Sequence, residues 1–140
     1  MQDESPYREK KRRWQRFMYA YNTVMCFGMG PPMIIYQIFP RWLMRWPYDD
    51  PVMMGIYGTI VTSVGALSAA ALRSEDNYEK FLPLLYTQIL YKSMACAFLA
   101  RELRKKEVPS WGLWLTFWFF AAYVAMLAQA IPWRKPGGLG

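Results

Sequence analysis

Residues 81–100 read FLPLLYTQILYKSMACAFLA, a run of apolar residues with a single charge, Lys92. At 1.5 Å per residue such a helix covers roughly 30 Å, the thickness of a bilayer's hydrocarbon core. The reading of this stretch decides the fold, because three others share its character. Residues 17–40, 51–72 and 111–133 contain no Asp, Glu, Lys or Arg. A helix on the surface of a soluble domain interrupts its apolar face with charges at every turn, and these do not. The sequence predicts an all-α integral membrane bundle of four transmembrane helices, at about 17–39, 52–72, 81–100 and 111–132. One domain of 140 residues holds them all.

The charges collect between and beyond these runs. The net formal charge is +7, and YREKKRRWQR at 7–16 carries much of it within the amino-terminal tail, 1–16. A basic stretch before a membrane helix acts as a topology signal and a headgroup contact, which outweighs nucleic-acid binding. The acidic Asp3 and Glu4 argue against a mitochondrial leader, and the late apolar run argues against a secretory one. With four spans and the amino terminus inside, ten Lys and Arg fall inside and six outside. Were the first segment a re-entrant hairpin, the division would be twelve to four. The length of the segment favours a crossing. The expected location is a bacterial inner membrane with a cytoplasmic amino terminus.

Within the first segment Pro31 and Pro32 follow Gly28 and Gly30, so a kink or break is expected there. The loop 40–51, with Trp42, Trp46 and Tyr48 beside Arg41 and Arg45, has interfacial composition. Asp49 and Asp50 before Pro51 form a natural helix start. The second segment repeats small residues, Gly55, Gly58, Thr62, Gly65 and Ala69, at spacings of three and four. That stripe permits close helix contact in lipid and places this helix at the centre of the bundle. The short link RSEDNYEK makes helices two and three antiparallel neighbours. In the fourth segment Trp111 and Trp133 bracket the span, and Trp114, Phe117 and Trp118 form an outward aromatic face. The carboxyl tail is 133–140.

Lys92 is the one candidate for a site. Gln88 and Cys96 lie one turn to either side and share its face. A lysine at mid-bilayer costs on the order of 3 kcal/mol and so faces protein or water. Asp49, Asp50, Tyr36 and Gln37, at the far ends of helices two and one, are its expected partners. Two roles compete: a polar pocket for a small anion or lipid headgroup, and a helix-to-helix anchor, which is preferred. Other chemistry has little to work with. There is no His, no paired carboxylate on a helix and no phosphate-cradling loop. Met25, Cys26, Met29 and Met33 offer soft Cu(I) ligands, but in a chain with ten Met they read as core filling, and no metal site is assigned.

The cadence DDPVMMGIYGTIVTSVGALSAAAL followed by FLPLLYTQILYKS resembles small bacterial four-helix membrane proteins, DoxX-like in shape, over residues 49–100. The resemblance implies a four-helix bundle and supplies neither activity nor site residues. The expectation for function is a non-catalytic accessory subunit of a larger membrane complex, respiratory or photosynthetic. Its partners are membrane lipids and other membrane subunits, with no nucleic acid. No cofactor is expected beyond a bound lipid or contact with a neighbouring subunit's pigment. The alternative is a small-molecule or lipid binding or transport protein using Lys92.

Overall fold

The computed structural model describes residues 5–35, 50–105 and 111–133. Among them the chain is entirely helical: α1 (Pro6–Ile35), α2 (Pro51–Ala71), the single turn α3 (Asn77–Lys80), α4 (Leu82–Arg104) and α5 (Trp111–Ala130). Two of the expected spans, α2 and α5, are long and apolar enough to cross a membrane. In α1 and α4 the apolar stretches are diluted by Tyr, Asn22, Gln88 and Lys92, and they fall short of that standard.

α1 differs most from the sequence expectation. It begins at Pro6 and takes the basic stretch 7–16 into the helix. Ser5 precedes Pro6, and its carbonyl accepts from the backbone N–H of Arg8 at 2.8 Å. Proline is favoured in a first turn because its missing N–H would have no partner there. At the other end the helix continues through Pro31 and Pro32 to Ile35, so the expected break is absent within the described residues. The two rings remove the N–H groups that would reach the carbonyls of Phe27 and Gly28. Gly28 has open space around its Cα. A hairpin within residues 17–35 is likewise ruled out. The interfacial loop expected at 40–51 lies, apart from Asp50 and Pro51, outside the described residues, as does most of the tail 133–140.

α2 starts where the sequence indicates. The Asp50 carboxylate accepts from Met53 N–H at 3.0 Å, with Pro51 in the first turn. At its other end, Asn77 of α3 donates to the carbonyl of Ala70 at 3.3 Å, capping a free helix end. α1 packs most extensively against α2, then α5 against α4, then α1 against α5. α1, rather than α2, therefore holds the centre. α2 and α4, expected as antiparallel neighbours, pack at most marginally on each other among the described residues, and α2 makes its close backbone contact with α1 instead. The ends of α2 and α5 and the starts of α1 and α4 meet at one end of the bundle. The cluster there joins Met18, Tyr19, Ala71, Tyr78, Leu85, Leu127 and Ile131. The Tyr19 hydroxyl donates to the Tyr78 carbonyl at 2.9 Å. Lys11 and Gln15 of α1 donate to the carbonyls of Gln129 and Ala130 at 2.8 and 3.2 Å, closing the open end of α5. Partial burial and the adjacent Lys10 lower the Lys11 pKa.

Candidate functional site

Between α1, α4 and α5 lies a buried polar layer. Asn22 of α1 is fully enclosed and Gln88 of α4 nearly so. Their amides are paired twice, with Asn22 Nδ2 donating to Gln88 Oε1 at 2.7 Å and Gln88 Nε2 donating to Asn22 Oδ1 at 3.3 Å. The Tyr123 hydroxyl of α5 donates to the same Asn22 oxygen. One side chain on α1 thus ties two other helices. Each of these groups would be expensive to bury alone, and together they satisfy one another.

Lys92 sits one turn beyond Gln88 on α4 and is 4% exposed. Its ammonium lies 4.0 Å from the ring centre of Tyr123, 4.6 Å from that of Phe120 and 5.0 Å from that of Tyr91. All three are within the range of cation–π attraction. The Cys96 thiol approaches the Phe117 carbonyl at 3.9 Å. A desolvated cation–π contact contributes up to about 2 kcal/mol, so three of them offset a burial cost of about 3 kcal/mol. Lys92 is surrounded by rings of α4 and α5.

The site residues named from sequence divide. Gln88 and Lys92 share the layer. Asp50 does not approach Lys92: it is exposed and caps α2. Gly65 touches Cys26, which lies near the level of Lys92. Asp50 is fifteen residues from Gly65 along α2, roughly 22 Å away. Asp49, Tyr36 and Gln37 lie outside the described residues. The rings of Tyr91, Phe120 and Tyr123 took the place expected for carboxylates. Asn22 and Tyr123 were missed. The available signal was Asn22 itself, the only amide between residues 17 and 36, since a lone amide in an apolar run needs an interhelical partner.

The small-residue stripe has its partner on α1. A Cβ on Gly58 would sit 2.9 Å from Ile34 Cγ1 and 3.0 Å from both Gly30 O and Met33 Cβ. One on Gly65 would sit 3.1 Å from Cys26 Cβ. Gly30 meets the stripe from α1, where a Cβ would press on the Thr62 hydroxyl and lie 2.8 Å from the Thr62 backbone N. The hydroxyl of Thr62 is turned back to the Gly58 carbonyl at 2.8 Å. Ala69 is half-buried. Gly55 has open space about it and takes no part.

On α5, Trp111, Trp114, Leu115 and Trp118 line an outward trough of about 510 Å³. The spacing i, i+3, i+4, i+7 puts all four on one helical face. Phe117, expected with them, is half-buried instead.

No family model, no curated protein and no solved structure matches this chain, so the DoxX-like resemblance of residues 49–100 adds nothing to what the fold supplies.

Proposed function

We propose that the protein is a non-catalytic structural subunit of a larger membrane complex, with α1, α2, α4 and α5 all lying in the bilayer. The carrying observation is the surface of the two most apolar helices. Only 28% of the apolar window of α2, and 28% of that of α5, is buried within the molecule. In water so large an apolar surface drives association or aggregation. In a membrane it meets lipid tails and the helices of neighbours. The strongly polar groups within the apolar runs of α1 and α4, Asn22, Gln88 and Lys92, are buried in the interior, which is the polarity a membrane bundle requires. The bacterial inner membrane and a respiratory or photosynthetic complex remain the expected setting.

Alkaline carbonate extraction followed by native gel analysis of assembly tests this reading. The wild-type chain should stay in the membrane pellet and migrate in a large particle. Lys92→Met should do the same, while Gly58→Leu should lose the particle. Release of the wild-type chain into the carbonate supernatant would end the proposal.

A second reading, a binding or transport protein for a small anion or lipid, has one observation in its favour. The Lys92 ammonium faces three aromatic rings, with no carboxylate partner among the described residues. On that reading Lys92→Met keeps the fold and loses a co-purifying ligand.

A further inference from the structure

Lipid-facing helices ordinarily end in interfacial residues, but α1 runs on as a helix beyond the body of the bundle. The bond from Gln15 to Ala130 puts Gln15 level with the last residue of α5. Helix α5 ends there, its uncharged run closing three residues later at Trp133, and Arg16 is the last charge before the uncharged run of α1, so the hydrocarbon boundary lies near Gln15 and Arg16. Nine helical residues, 6–14, project past that level, a rise of roughly 13 Å. The headgroup layer is roughly 5–7 Å deep on each side of a bilayer. Arg16 stands at its inner edge, Arg13 about 4.5 Å higher and Lys10 about 9 Å higher.

These three cations share a face with the apolar residues below them. Arg13, Phe17, Ala20 and Val24 follow one another at spacings of four, three and four, and Lys10 and Arg16 join the same sector. All are exposed. The face is apolar over the depth of the acyl chains and cationic over the depth of the phosphates. Its direction is fixed, because Lys11 and Gln15 on the opposite side are bonded to the end of α5.

We propose that this face of α1 is a binding site for one anionic phospholipid. An acyl chain lies along Phe17, Ala20 and Val24, and the phosphate is held by Arg16 and Arg13. The stem of Lys10 is long enough to bend its ammonium back to the headgroup. Arginine pairs with a phosphate through two parallel N–H bonds, and the headgroup competes with the Arg13–Glu9 ion pair. The site rests on the membrane reading above.

The test uses the full-length chain in mild detergent, titrated with dioleoylphosphatidylglycerol or dioleoylphosphatidylcholine and followed by native mass spectrometry. The wild type should retain the anionic lipid at least about tenfold more tightly, since each cation contributes about fivefold near a charged headgroup. Lys10→Gln/Arg13→Gln/Arg16→Gln should bring the two lipids toward equal retention while keeping its helical circular dichroism. Arg101→Gln/Arg104→Gln, at the other end of the bundle, should leave the preference intact. Equal retention of both lipids by the wild type overturns the site. So does a loss as large with the Arg101/Arg104 pair as with the triple variant. Carbonate extraction of the same protein separates the two claims: a chain that stays in the pellet without lipid preference refutes the site alone, and a released chain refutes the membrane reading as well.

Discussion

Asn22→Leu removes the amide on which Gln88 and Tyr123 both depend, leaving two buried polar groups with no partner on α1. The expected cost is about 1 kcal/mol, in keeping with interhelical hydrogen bonds in membranes, and more if neither group finds a substitute. Lys92→Met should cost less. The thioether fills similar space and keeps favourable contact with the same rings, and a buried charge replaced by an apolar side chain of like volume is often neutral or better. Thermal unfolding in detergent, followed by tryptophan fluorescence, should rank Asn22→Leu below Lys92→Met. The reverse order would make Lys92 the element that holds the layer. Ser68 gives the opposite case. Its hydroxyl is fully buried on α2 with no hydrogen-bond partner among the described residues. Ser68→Ala removes the unsatisfied group without adding volume and should raise the melting temperature. A lower melting temperature in that variant would show that the hydroxyl has a bonding role.

For the helices, the contact between α1 and α2 makes the sharpest prediction, because two glycines of one stripe should behave differently. Gly58→Ala puts a methyl within 3.0 Å of the Gly30 carbonyl and Met33 Cβ, which the helices can accept only by moving apart. The same change at Gly55 meets open space and removes a flexible residue from a helix, which stabilises by several tenths of a kcal/mol. Gly58→Ala should lower the melting temperature and Gly55→Ala should not, and equal effects would contradict the observed register. The stripe was legible in the sequence because its spacing is a property of one helix. Its partner was not, because Gly30 sits beside Pro31 and Pro32 and reads as part of a break. The start of α1 was misjudged for a similar reason. Charges at 8–16 signal the end of an apolar run, but they do not prevent a helix, and the Ser5-Pro6 start was overlooked. In the site, Gln88 and Lys92 stood out as polar residues in apolar surroundings. The three rings around Lys92 did not, since aromatic residues are common in these segments and only packing brings Phe120 and Tyr123 to it.

Taken whole, the molecule is two closely packed helix pairs, α1 with α2 and α4 with α5, joined by the α1–α5 contact and by the Asn22–Gln88 amides. Asn22, Gln88 and Lys92 are buried at the seam, while many large apolar side chains face out, among them Trp111 at 80% exposed and Trp118 at 61%. On the proposed reading the outer surface is where a structural subunit meets its neighbours. The most direct test is purification of the tagged chain from its native membrane in mild detergent, with sizing and mass spectrometry of the co-migrating material. A structural subunit should elute in one large particle with stoichiometric membrane partners, unchanged by Lys92→Met. A monomer or small homo-oligomer carrying a bound metabolite, lost on Lys92→Met, would contradict that account.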